Sequence, residues 1–463
     1  MLKNNTVNSQ SFKAGAAQVD ITPPLGTFIN GDFVAHFAQY IHDELYAKAL
    51  VMHDGEKMIA IVVVDICVLP KDFLDNIKTR INEKTGIEPG NLLISSTHTH
   101  AAGSVESVYL GAADLQYMRK LPALIIEAVL LAKDKLRPAK ITWGSSDVPE
   151  HVLCRRYNMQ SSYSPQNPVT GEADRVKTNP FGVEDQIIDN ISQTDPEVSF
   201  LAVKGIDDKW ISIVANYSLH YVGDWDNGTI SSDYFGQFSR QIAENLEADD
   251  EFVGMMSNGT SGDVNIWDFR NPHRYPSGKF EKSKLIGGDI AEKVSQELLD
   301  VEWDYNPELA VRYEEVNFRL RKPSADDLEK AKKVVSESNY ENMQITDLTM
   351  PKLYAREQVL LYDLPDLLQF PVQALKIGKG VIGGLGGEIF AETGLSIKQQ
   401  SAGPYFTIGL ANANAGYVPP AHELEKGGYE TWRSRTSKLE KGAEEIIRMK
   451  LLELIKNLNK KEN

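Results

Sequence analysis

A chain of 463 residues with 42% apolar and 25% charged side chains has the composition of an ordinary globular protein with material for a large core, which excludes a disordered or fibrous polypeptide. Its net charge of -16, with no basic cluster, excludes a nucleic-acid binder, because neutralising phosphates takes a concentrated cationic surface. Cys67 and Cys154 lie far apart and form no Cys-x-x-Cys, so neither a disulfide framework nor a thiolate zinc site is implied, and any metal would be held by His, carboxylate or phenolate groups.

In chain order, residues 1–12 read as a flexible polar leader without a hydrophobic signal core. The expectation is a soluble protein, cytoplasmic as written and periplasmic or secreted if a signal peptide has been removed. Residues 13–460 read as one large domain. A first strand at 15–21 is stopped by Thr22, Pro23, Pro24 and Gly26, and strands at 43–53 and 58–68 are joined by Asp54-Gly55, a hairpin signal. The second run is too short to span a bilayer, which takes about 20 apolar residues. Asp65 lies inside it, where a carboxylate needs a partner: a backbone N–H or Arg, or a metal-ligating histidine.

A helix is expected at 71–85 and a long one at 115–136, ending before Pro138. Between them lies NLLISSTHTHAAG, residues 91–103. Its apolar residues read as a buried strand, and the period of two places His98 and His100 on one face. Two imidazoles can begin a zinc site, which takes three or four N, O or S ligands, although an isolated His-x-His is more often a hydrogen-bonded strand end. Residues 154–197 read as a long polar loop headed by Arg155 and Arg156. Strands at 199–203 and 210–217 follow, the second leading to His220. Next come Asp233, a helix through Asn245, a strand at 251–256 and a small polar loop at 257–265 suited to close approach of a ligand.

Residues 267–284 read as an aromatic flap, with a strand at 310–320, a capped helix at 324–336, and a charged stretch to Asp366 without clear periodicity. A hairpin at 370–377 and 380–385 feeds Glu388, residues 404–411 lead toward Tyr417, and a final helix is expected at 437–458. No internal repeat is visible. The alternation of strands and helices predicts an α/β fold, mixed β-sheets flanked by helices in a single large domain with its site in loops at strand ends.

The short motifs, in order, are GxAxxDITP at 15–23, THTH at 97–100, NYSxH at 216–220, SSDY at 231–234, GDVN at 262–265, GGE at 386–388, AGYV at 415–418 and GYET at 428–431. Together they resemble the neutral/alkaline non-lysosomal ceramidase family, specifically its catalytic N-terminal domain, and the chain is expected to be a bacterial-type relative without the family's C-terminal immunoglobulin-like domain. The resemblance implies a zinc ion held by His98, His220, Glu388 and Tyr417, and a lipid-like amide substrate hydrolysed by metal-activated water. It implies roles near the reacting atoms for His100, Arg155 and Tyr429, and supporting or substrate-contacting roles for Asp65, His42, Asp233 and Asp263. Asn265 stands where the family carries a serine proposed as nucleophile, which disfavours a covalent route. The alternatives are a zinc esterase or lactonase and a non-catalytic lipid- or glycan-binding relative. Oligomeric state is not legible.

Overall fold

The computed structural model describes residues 12–29 and 31–460, and its main feature is an eight-stranded sheet. The strands in chain order are β1 (Lys13–Asp20), β2 (Tyr46–His53), β3 (Met58–Val64), β4 (Leu92–Ser96), β5 (Arg137–Asp147), β6 (Glu197–Gly205), β7 (Trp210–Tyr217) and β8 (Val253–Asn258). In space they run β8-β7-β6-β5-β1-β2-β3-β4. The pairs β3–β4 and β7–β8 are parallel, and the other neighbours are antiparallel. A parallel pair needs a crossover, which helices α1 (Lys71–Thr85) and α3 (Asp233–Asn245) supply. Helices α2 (Leu115–Asp134) and α4 (Glu281–Glu297) follow β4 and β8.

Three strands, a helix, a strand and a helix therefore occur twice. The two halves join where their first strands pair antiparallel, Lys13 with Pro138 and Ala14 with Arg137. The sequence hides this repeat because burial constrains polarity and not identity: the third strands, MIAIVVV and WISIVANY, share an apolar pattern and little else.

Strand alternation sorts the core into layers. Ala47, Ala49 and Val51 of β2 face Leu74, Ile77, Leu121 and Ile125 of α1 and α2, while Phe200 and Ala202 of β6 face Phe238, Ile242 and Ile290 of α3 and α4. The intervening Leu50, Met52, Leu201 and Val203 point the other way into one shared core. The sheet thus folds over on itself, with helices outside both halves. A second sheet, of Leu309–Arg319, Leu367–Ile377, Gly380–Leu385 and Tyr405–Ile408, adds Leu375, Ile377, Ile382, Phe406 and Ile408 to that core. Its other face packs under the helix Ala443–Asn457.

Residues 409–412 then bridge the ends of the two parallel pairs. The Gly409 amide donates to the Asn258 carbonyl, the Ser96 amide to the Leu410 carbonyl, and the Asn412 amide to the Ile94 carbonyl. This bridge holds the carboxyl ends of β4 and β8 at one place, and there the candidate site lies.

The strands and helices expected from periodicity are found, with three corrections. Residues 154–197 are not loop throughout, because Arg156–Met159, Val176–Thr178 and Ile187–Asn190 form a small sheet. The stretch before Asp366 contains the helix Met350–Tyr362, which buries Leu353, Tyr354 and Leu361. The final helix begins at Ala443, after a turn at Gly442 with φ 89°. Residues 1–11 of the expected leader lie outside the described residues, and Phe12 is buried in the shared core. Among the described residues no helix is long and apolar enough to cross a membrane.

Candidate metal centre and its cavity

The strand β4 stops at Ser96, so pleating is not what brings His98 and His100 together. The His98 amide donates to the Ile66 carbonyl beyond β3, and His98 takes up a left-handed backbone, φ 71°. For a residue with a bulky side chain this conformation costs about 1–3 kcal/mol and persists because its surroundings fix it. It turns the rings edge to face, at 87°, with their Nε2 atoms 3.4 Å apart. His220, in the loop after β7, brings its Nε2 to 3.2 Å from that of His100. Glu388 and Tyr417 are directly opposed in a two-residue parallel pairing, and Glu388 Oε2 lies 3.3 Å from His98 Nε2 and 3.9 Å from His220 Nδ1.

These residues fit a metal ion on two observations. First, His98 donates its Nδ1–H to the Cys67 carbonyl at 2.8 Å, which turns Nε2 toward Glu388, 3.3 Å away. Glu388 Oε2 is buried, and the space between it and Nε2 draws positive charge, which a proton on His98 or a metal ion would supply. Second, tetrahedral ligands at zinc distances of about 2.0–2.1 Å stand about 3.3 Å from one another, which is the His98–Glu388 separation, and His220 Nδ1 lies 3.9 Å from the same carboxylate oxygen. Burial lowers the proton affinity of His98, but Cys67 and the Glu388 carboxylate outweigh it and raise its pKa well above the usual value. Burial pushes His100 and His220 well below theirs, aided by the charge of His98 and of Arg155 respectively. Burial and the nearby Glu388 charge also raise the Tyr417 phenol.

Arg155 is expected near the reacting atoms; it lines the cavity, and each of its three nitrogens also donates to protein. Nε donates to Glu430 Oε1 at 2.7 Å, Nη2 to the Gly262 carbonyl at 2.7 Å, and Nη1 to His220 Nδ1 at 3.0 Å, with the guanidinium over the Tyr417 ring. In this structure it positions His220 and Tyr417. Glu430, in the GYET motif, also accepts from Arg156 Nη1 at 2.8 Å and Thr178 Oγ1 at 2.7 Å through Oε2. Burial opposes its ionisation, yet Arg155 and Arg156 outweigh burial and lower its pKa. Sequence reasoning missed Glu430. The signal was the adjacent pair Arg155-Arg156, since two neighbouring cations taken into a fold require buried carboxylates.

His100, Arg155, His220 and Tyr417 line one cavity of about 420 Å³ together with Asn265 and Tyr429. Asn265 is held by Asn179, its Nδ2 donating to Asn179 Oδ1 at 2.7 Å. The polar stretch 154–197 and the aromatic flap 267–284 meet here, with Phe181 and Trp267 in edge contact at 5.0 Å and both in the cavity wall. The remaining candidates lie further back. Asp233 accepts from the indole N–H of Trp225, a lining residue, at 2.7 Å. Asp263 accepts from the Ala391 amide at 2.8 Å, and its carbonyl accepts from the Arg155 amide. Asp65 takes the blander of its two expected partners, the Tyr46 amide at 2.9 Å with Lys48 at 3.6 Å, and the Cys67 carbonyl orients His98 in its place. His42 stacks flat on Phe280 at 3.4 Å, outside the cavity lining. Both cysteines are free and buried.

Residues 12–268, more than half of the chain, match the family description neutral/alkaline non-lysosomal ceramidase, N-terminal. The chain belongs to this family. Among solved structures, the crystal structure of neutral ceramidase from Pseudomonas aeruginosa is similar over 97% of this chain and 75% of that one, with 16% identity and a TM-score of 0.73. A ceramidase complexed with C2 is similar over the same shares, with 15% identity and a TM-score of 0.71. At these identities the likeness concerns the fold. In this member of the ceramidase family His98, His220 and Glu388 offer ligand atoms that all lie within 4.8 Å of one another.

Proposed function

We propose that the protein is a zinc-dependent hydrolase of an amide bond, acting on ceramide or another N-acylated small molecule, with His98, His220, Glu388 and Tyr417 holding the ion. The single observation that carries this reading is the buried Glu388 Oε2 set 3.3 Å from His98 Nε2 and 3.9 Å from His220 Nδ1, a carboxylate between two imidazoles that would serve a divalent cation. Family membership supports hydrolysis of a C–N bond. Bound zinc supplies a water of lowered pKa and polarises the carbonyl.

The chain's own groups supply the rest. His100 lines the cavity with its Nε2 turned toward the cluster, and burial lowers its pKa well below the usual value and keeps the ring neutral, with one nitrogen able to take a proton. It then returns the proton to the leaving nitrogen. Tyr429 lines the cavity with its hydroxyl accepting from that of Tyr109 at 3.3 Å, and there it orients the acyl group. Asn265 has an amide in place of a nucleophile, so water is the attacking group.

The test is metal content of the purified protein after removal of loosely bound ions, beside His98→Ala and Glu388→Ala. About one zinc per chain, lost in both variants, with hydrolysis of an acyl-amide panel by the loaded wild type, supports the proposal. A folded wild type that neither contains nor takes up zinc would sink it.

A further inference from the structure

The lining of the cavity narrows the class of amide that the site accepts. Its charged lining consists of the histidines, Arg155, Asp32 and Lys177. Arg155 is committed to Glu430, His220 and the Gly262 carbonyl. Asp32 is committed to His36 Nε2 at 2.8 Å and to the Phe33 amide. Lys177 alone among these cations has no ion pair or hydrogen bond among the described residues, although it is half-buried in the wall between Val176 and Thr178.

Its location is fixed by pairing. Lys177 lies opposite Tyr157 in the small sheet, and the neighbouring pair Arg156–Thr178 is tied to Glu430. The strand that carries Lys177 is therefore anchored to the same carboxylate that anchors Arg155, while the flexible lysine stem lets the ammonium reach along the cavity wall. Lys177 thus brings a cation to the cavity wall that no carboxylate among the described residues pairs, and an anion on the ligand complements it. Other parts of the wall are apolar: Ile29, Phe33, Met350, Tyr429 and Trp432.

We infer that the substrate is an N-acyl amino acid, its carboxylate paired with Lys177, its acyl chain on the apolar wall, and its amide at the histidine cluster. This inference rests on the amide-hydrolase reading. In the reaction the C–N bond breaks, a C–O bond forms from water, and the proton released passes to the departing nitrogen. The products are a fatty acid and a free amino acid.

The experiment compares kcat/KM of the zinc-loaded full chain for N-lauroylglycine and N-lauroylethanolamine, which share acyl chain and amide and differ in the carboxylate, with N-lauroylsphingosine as a third substrate. A charge-assisted contact predicts a preference for N-lauroylglycine of about tenfold to a hundredfold. In Lys177→Met the ratio between the first two falls toward one through a higher KM for N-lauroylglycine, and in Lys177→Glu it inverts. Equal or better use of either neutral amide by wild type, or an unchanged ratio in Lys177→Met, overturns the inference. If no amide is hydrolysed, the hydrolase reading fails separately. Calorimetric binding of N-lauroylglycine to wild type and Lys177→Met then decides the anion contact: weaker binding in the variant upholds it, and equal or absent binding overturns it.

Discussion

Glu430→Gln tests how the arginine frame supports the candidate metal centre. The carboxylate accepts three hydrogen bonds, one from Arg155, one from Arg156 and one from Thr178, and the residue is fully buried. A glutamine keeps the shape but has one accepting oxygen, so one guanidinium meets an NH2 group and both lose their counter-charge, apart from the contact of Arg156 with Glu423 at 2.9 Å. Removing one partner of a buried ion pair typically costs about 3–5 kcal/mol. Because Arg155 also fixes His220, zinc affinity should fall by about 10- to 100-fold, the range for losing a group that orients a ligand. The assays are urea unfolding of the metal-free proteins and competition for zinc with a chelator. Since the folded pKa is lowered, Glu430 contributes stability above the ordinary carboxylate pKa, and this is lost as pH falls through the folded value. The gap between wild type and variant should therefore close in acid. A variant within about 1 kcal/mol of wild type, or one that is destabilised yet binds zinc as tightly, refutes the argument that this frame positions the site.

Three further outcomes are expected. Burial raises the Asp263 carboxyl to about 6, so between the ordinary carboxylate range and that value the folded state binds more protons and stability falls as pH rises; Asp263→Asn, which keeps an acceptor for the Ala391 amide, should remove this fall and gain at most about 3 kcal/mol at pH 7, read by unfolding at pH 4 and 7. Lys78 is buried on α1 without a hydrogen-bond partner and burial lowers it to about 7, so the unfolded chain holds the extra proton above that pH and stability rises toward pH 10; Lys78→Met should stabilise by up to about 4 kcal/mol at neutral pH, with the gain shrinking as pH rises. Tyr417→Phe should leave folding within about 1 kcal/mol and weaken zinc binding, whereas equal zinc affinity would remove Tyr417 from the proposed ligands.

The fold was legible where polarity alone decides it. The helix Lys71–Thr85 and the hairpin of β2 and β3 follow from periodicity and a Asp-Gly turn, because each buries a face set by local spacing. The folding of the sheet over itself was not legible, since it depends on residues 409–412 bridging Asn258 to Ser96, a contact between distant segments with no local pattern. For the site, motif order singled out His98, His220, Glu388 and Tyr417, and the structure brings them together. The geometric reason offered for His98 and His100 did not hold, because a left-handed residue replaces the strand pleat. Glu430 and Cys67 act through partners far away in sequence, and one chain read alone carries little information about such pairs.

The twofold repetition of the main sheet has a consequence for the order of events in folding. His98 follows the fourth strand of the first half, His220 the third strand of the second, and Glu388 belongs to neither. No half assembled alone presents more than part of the donor set, so an ion cannot template either one. It can bind only after the halves have closed and residues 409–412 are seated, when the barrier to folding is already behind the chain. Added zinc should then leave the refolding rate nearly unchanged and slow unfolding, so that the ion works as a latch on a finished structure.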